Sequence, residues 1–279
     1  MIYLLLSIIS SVLLFILFKE FNKININTSQ AITSNYLTAS LLAYFFNDII
    51  FDLDYLYNSS WLIPTILLGV LFIIMFNVMA ITTQKLSISI AATASKMSLI
   101  IPVLLTFLIQ KNFNTSLFKI IGIFIGLLSV YFIFKKDEKI KKPITIAILL
   151  FFGSGIVDAS IDYIRSYLLL IDEYVLFIAT IFFTAFIIGV LQIIYHKQSV
   201  KIKNILAGIV LGIPNYFSIY FVLKALENLG AITVFSSLNI GVVLISSILS
   251  ALYYKEHISK INWFGILLAC TSILLILMF

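Results

Sequence analysis

Long apolar runs alternate with short polar breaks along the whole chain. The runs fall at Met1–Phe18, Ser29–Phe51, Trp61–Thr82, Ser87–Ile109, Leu117–Phe134, Ile144–Tyr167, Tyr174–Tyr195, Ile205–Leu226, Ala231–Tyr254 and Asn262–Phe279. A membrane-spanning helix needs roughly 20 apolar residues, so each run predicts one span. Lys19-Glu20, Asp52-Leu53-Asp54 and Lys135-Lys136-Asp137-Glu138 are polar breaks between them. Very short connections, Gln84-Lys85-Leu86 and Glu227-Asn228-Leu229-Gly230, predict antiparallel hairpins within one bundle. None of the runs shows the period-2 alternation of a transmembrane barrel. The first run has no basic stretch before it and no small-x-small cleavage site after it. It is therefore expected to stay as a first helix rather than leave as a signal peptide.

Composition sharpens this picture. Of 279 residues, 62% are apolar and only 11% charged, and the mean hydropathy is +1.16. A soluble domain is about 45–50% apolar and about 25% charged. So few polar side chains cannot cover a water-exposed surface, which excludes a soluble enzyme, a nucleic-acid binder and a disordered chain. The expected fold class is an all-α integral membrane protein of ten transmembrane helices in the cell (inner) membrane, with the lipid bilayer as its solvent. Cys270 is the single cysteine, and His196 and His257 sit beside lysines with no metal-ligand spacing. There is no phosphate-binding loop, nucleophile elbow or metal-ligand cluster. No cofactor, metal or catalytic role is expected, and this chain alone is not an ATP-driven pump.

The net charge of +6 matters through its placement. Odd-numbered connections hold 13 Lys or Arg residues and even-numbered ones hold 4, with Lys96 set aside as intramembrane. The positive-inside rule then puts the odd connections in the cytoplasm and both termini outside.

Internal similarity suggests two halves. Gln110-Lys111-Asn112-Phe113 and the helix from Gly122 resemble Tyr254-Lys255-Glu256-His257 and the helix from Gly265. Helices four and five thus correspond to nine and ten, predicting repeats at 1–142 and 143–279. Five helices is an odd number, so the second repeat is inverted, an arrangement found in secondary transporters. Gly122-x-x-x-Gly126, Gly208-x-x-x-Gly212 and Gly265-x-x-x-Ala269 are small-residue pairs suited to close helix packing.

The stretch Ser95-Lys96-Met97-Ser98-Leu99-Ile100-Ile101-Pro102-Val103, a short polar loop, and then Lys119-Ile120-Ile121-Gly122 resemble the EamA-type transporters of the drug/metabolite transporter superfamily. Members often carry Gly-Glu in the loops after helices four and nine. Here the first copy reads Lys111-Asn112, and only the second keeps its acid, Glu256. The resemblance implies ten helices in two inverted halves and alternating access through a central cavity, with both termini usually inside. Members are known to export amino acids and other metabolites, and relatives carry nucleotide sugars or lipid-linked sugars.

Ionisable residues within spans cost about 2.5–3.5 kcal/mol each on insertion scales, so each needs a reason. Lys96 lies too deep in its run for its stem to reach either interface easily. It is either an ammonium that recognises an anionic substrate group or half of a structural ion pair. Asp158, Asp162 and Arg165 are spaced i, i+4 and i+7 on one helix face. Asp162 and Arg165 are expected to neutralise each other, leaving Asp158 for Lys96, for substrate or for a coupling proton. Asn35, Asn77, Asn215 and Asn239 complete the candidate substrate-binding set, each able instead to make an interhelical hydrogen bond. Pro214 and Pro102 can bend their helices. Lys19 and Arg165 close corresponding helices as gate residues, ion pairs or headgroup anchors, and Lys224 with Glu227 forms an interfacial pair.

The expected function is a secondary active transporter, an exporter of a small polar metabolite such as an amino acid or organic anion, acting as a monomer or homodimer. The rival readings are an intramembrane lipid-handling, flippase-like protein and a non-transporting membrane scaffold.

Overall fold

A computed structural model describes residues 1–46, 53–110, 117–134, 144–170 and 173–278. Twelve helices occupy them: α1 (Ile2–Lys23), α2 (Thr28–Phe45), α3 (Leu53–Asn58), α4 (Leu62–Lys85), α5 (Ile88–Met97), α6 (Ile100–Gln110), α7 (Leu117–Phe134), α8 (Thr145–Tyr167), α9 (Tyr174–Tyr195), α10 (Ile202–Leu226), α11 (Ala231–Leu252) and α12 (Lys260–Met278). Among the described residues there is no strand, and nine helical stretches are long and apolar enough to cross a membrane. The chain is an all-α integral membrane protein. The tenth expected span is α2, which has 18 residues but carries too many polar side chains, Gln30 and Asn35 among them, to qualify by apolarity. The run expected to reach Phe51 is helical to Phe45, and residues 47–52 lie outside the described residues. Lys111-Asn112 and the basic stretch from Lys135 to Lys142 lie outside them too.

Local chemistry explains where these helices begin and break. The Asn27 side chain accepts from the backbone N–H groups of Ser29 and Gln30 at 3.1 and 3.3 Å, capping the start of α2. Ser87 caps α5 in the same way through the Ile90 N–H at 3.0 Å. The fourth apolar run, expected to be one helix, is two: α5 stops at Met97 and α6 starts at Ile100. Pro102 has no N–H to give the Ser98 carbonyl, so the turn tightens and the Ile101 N–H takes that carbonyl instead, at 2.9 Å. Pro214, by contrast, sits inside an unbroken α10. The short helix α3 was not foreseen, since Leu53–Asn58 reads as part of a polar break.

The chain divides into two compact units. The first comprises Met1–Lys19, Val78–Ile156 and Phe217–Phe279, and the second Glu20–Asn77 and Val157–Tyr216. In the first unit α7 packs antiparallel on α12. A Cβ on Gly122 would lie within 3.0 Å of Ile276, and one on Gly265 within 2.8 Å of Ile133. Ser272 Oγ donates to the Gly122 carbonyl at 2.7 Å, and Asn262 Nδ2 to the Ile133 carbonyl at 2.9 Å. Backbones can approach this closely only where side chains are small. Beside them α5 lies on α11, joined by a buried Ser89–Ser247 hydroxyl pair at 2.8 Å.

The second unit is built around α2, packed on α9 and on the first half of α10. Gly208 meets the Ala31 carbonyl, and Gly212 meets that of Asn35. All three small-residue pairs read from the sequence therefore mark close helix contacts. Tyr36 is wholly buried between Phe76 and Phe182, and its hydroxyl donates to the Phe72 carbonyl at 3.0 Å.

Candidate functional site

The first candidate lies at the broken span of the first unit. Lys96 is half-buried in the last turn of α5, two residues before the break at Ser98-Leu99. Seven residues of α-helix return to within about 20° of the starting direction, so Lys96 shares the face of Ser89 that meets α11. Glu256, just past α11, reaches the first turn of α5, so the two helices run antiparallel. From the Ser89–Ser247 pair that register brings Lys96 level with Ile240 and its neighbour Asn239, about 10–12 Å along. Two residues separated by 143 positions thereby occupy one depth of one helix pair. Non-helical backbone at membrane depth is tolerated where it is buried in protein or lines a cavity, and broken helices are where transporters place their binding sites.

The other intramembrane candidates lie in the second unit. Asn215 Nδ2 donates to Asn35 Oδ1 at 3.1 Å across the α10–α2 contact. Asn35 is fully buried, and its own Nδ2 makes no hydrogen bond with the described residues. A buried donor left unmatched is costly, and such groups concentrate at functional positions. Asn77 instead turns its amide back to the Ile73 carbonyl at 2.8 Å, within its own helix. Arg165 donates to Asp162 at 3.2 Å, and both side chains are about half exposed, so these two do neutralise each other as expected. Asp158 is exposed one turn earlier on α8. At the end of α10, Lys224 donates to Glu227 at 2.7 Å, also as expected.

Two carboxylates carry more of the structure than their sequence surroundings suggested. Glu256 pairs with Lys19, and its other oxygen accepts from the Ile88 N–H at 3.0 Å and from Ser250 Oγ. Lys19 also donates to the Thr83 carbonyl at 3.3 Å. The acid thus caps α5, where a negative charge complements the helix dipole. The sequence leaves Lys19 open as a gate residue, an ion pair or a headgroup anchor. The only signal for its partner was the acid in the ninth connection.

The second carboxylate is Glu173, ahead of α9. It accepts from the Tyr55 hydroxyl, from Trp61 Nε1 at 2.9 Å and from the Leu170 N–H. Burial works to raise the Glu173 carboxyl, but the three hydrogen bonds outweigh it and hold the group below its ordinary range. The same bond pushes the Tyr55 hydroxyl up. A depressed folded-state pKa stabilises the fold above the unfolded value of about 4.3, and that contribution is lost as pH falls through the folded value. The melting temperature of the wild type should therefore drop further than that of Glu173→Gln between pH 6 and pH 3. Parallel pH curves would remove Glu173 from the acid sensitivity.

Among the described residues no group of three His, Cys, Asp or Glu side chains could hold a metal. The described residues thus form apolar helices, with one span broken two residues past Lys96 and two others joined by buried amides. Comparison with known proteins gives the class. The model of the EamA-like transporter family matches residues 141–278. A protein of Haemophilus influenzae, described as uncharacterized, is 30% identical over 282 residues, covering 96% of this chain and 94% of the relative. The chain belongs to the EamA-like transporter family, a family of membrane transporters rather than enzymes.

Proposed function

We propose that this protein is a secondary active transporter, an exporter in the cell (inner) membrane, that moves a small anionic or zwitterionic metabolite by alternating access. The observation that carries this reading is the interrupted span α5–α6 with Lys96 in the last turn before the break. An ammonium there meets a carboxylate or phosphate-like group, and Asn239 on α11 offers donor and acceptor at the same depth. In the second unit, the paired amides of Asn35 and Asn215 are a separate candidate for substrate contact, and Asp158 is a candidate for carrying a coupling proton.

Alternating access rests on two inverted halves, 1–142 and 143–279. Three helix contacts support them: α2 on α9, α5 on α11 and α7 on α12 each join counterparts from the two halves. The α7–α12 seam is also reciprocal. A shift of 143 residues carries Gly122 to Gly265 and Ile133 to Ile276, exchanging one contact for the other. A pseudo-two-fold axis between inverted repeats produces that exchange.

The test is thermal unfolding of purified protein against amino acids, organic acids, sugar nucleotides and cationic drugs, with Lys96→Ala beside the wild type. A ligand at a hundred times its Kd stabilises by about 2.7 kcal/mol, a rise of several degrees. The expected result is such a rise with an acidic or zwitterionic compound, and none in a folded Lys96→Ala. Silence across all four classes, with the variant merely less stable, would return Lys96 to a structural pair and favour a lipid-handling or scaffold role.

A further inference from the structure

Helix α5 has an unusual construction. It is ten residues long, it is isolated at its C-terminal end by the break at Ser98-Leu99, and its N-terminal end is held by the Ser87 cap and by one carboxylate from outside the helix. That carboxylate, Glu256, also holds Lys19 on α1, while Lys19 reaches the Thr83 carbonyl at the end of α4. Gln84 Nε2 adds a bond to the Phe18 carbonyl at 3.0 Å, tying the same two helices together. The Lys19 and Glu256 side chains are 17% and 11% exposed, so water screens their attraction only weakly. Lys96 rides on the same short helix, eight residues or about 12 Å from the Ile88 amide.

We infer that Glu256 is a positioning residue that couples a Lys19 latch at one end of α5 to Lys96 at the other. This deepens the transport reading above and rests on its assignment of Lys96. A helix of under three turns is stiff, whereas the proline-weakened turn at Ser98-Leu99 is a hinge. Tilting α5 about that hinge moves its two ends together. When Lys96 engages a ligand, the Ile88 amide shifts against Glu256, and the carboxylate cannot keep both the amide and Lys19. Release of Lys19 then frees α1 from the loop after α11. When the latch is closed, α5 is held and Lys96 keeps one orientation. The same coupling free energy acts in both directions.

The experiment uses purified full-length protein in lipid nanodiscs, with Cys270→Ala removing the native thiol and Leu86→Cys supplying a reporter. Leu86 is 3% exposed and lies two residues before the amide that Glu256 holds. Its reaction rate with a water-soluble maleimide reads the latch directly, without any ligand. Lys19→Met breaks the ion pair and leaves Glu256 on the α5 cap, whereas Glu256→Gln loosens both. Both variants are expected to speed labelling at least about fivefold, the lower end of typical coupling energies. Glu256→Asp should restore much of the protection. Lys96→Ala, remote from the reporter, should change the rate by a similar factor, which a purely local cap would not allow.

A folded Lys19→Met that labels at the wild-type rate overturns the latch. Faster labelling in Lys19→Met with Lys96→Ala unchanged overturns the coupling. The binding assay keeps these failures apart from failure of the transport reading. Ligand stabilisation abolished by Lys96→Ala, with no labelling response, sinks this inference alone. A labelling response to Lys96→Ala, with no ligand found, sinks the substrate assignment alone.

Discussion

Gly208→Leu is expected to leave no folded protein to purify. A Cβ at this position would stand 2.3 Å from the Ala31 carbonyl oxygen and 2.5 Å from Ser34 Cβ. The obstacle is helix backbone, which cannot rotate aside as a flexible side chain could. Overpacking commonly costs about 1–3 kcal/mol, and leucine adds three further carbons to the clash. Separation of α2 from α10 would also pull Asn215 away from Asn35 and strand two buried amides. Gly208→Ala is expected to fold with a lowered melting temperature, and Val210→Leu, on the exposed side of the same helix, to behave as wild type. Size-exclusion profiles and melting curves of the three variants check the series. A monodisperse Gly208→Leu with wild-type stability would mean that α2 and α10 do not meet here.

Pro102→Ala should do the opposite, preserving stability while removing function. The substitution restores an N–H able to donate to the Ser98 carbonyl, so α5 and α6 can run on as one helix. Proline inside a helix costs about 3 kcal/mol relative to alanine, and relief of that cost favours the straight form. If Lys96 works because the span is broken beside it, straightening should abolish ligand-induced stabilisation and cut transport by at least about tenfold, while the melting temperature holds or rises. Proteoliposome uptake and the thermal assay together decide the matter. A variant that transports and binds like wild type would make the break an incidental feature of packing.

Most of the fold was legible because membrane spans are the strongest pattern a chain can carry. Eight runs became single apolar helices near the expected boundaries and a ninth became the broken pair α5–α6, since backbone groups in lipid have no partner except their own helix. The close contacts at Gly122, Gly208 and Gly265 were also readable, because only small side chains allow them. The α5–α6 break was foreshadowed by Pro102, although a proline permits either a bend or a rupture, and Pro214 shows the milder result.

The site was less legible. Arg165 with Asp162 and Lys224 with Glu227 are neighbours on one helix, so spacing alone revealed them. Lys19 with Glu256, or Trp61 with Glu173, join residues more than a hundred positions apart. No local period encodes such a meeting. Asn35 and Asn77 looked alike in sequence, yet one faces a partner helix and the other satisfies itself. The difference lies in which neighbour arrives beside each, and that depends on the tertiary arrangement.

The polarity of α2 has a consequence for how the protein is made. Its side chains find their partners far downstream: Ser40 at the Ala179 carbonyl, Gln30 at Asn204 and Asn35 at Asn215. None of these has been synthesised when α2 leaves the ribosome. A segment this polar enters lipid poorly by itself, and its amides have nothing to bond there but each other and stray water. Insertion of the second span is therefore provisional until roughly 170 further residues have emerged. The polar contacts of the second span are thus completed only by the chain's second half.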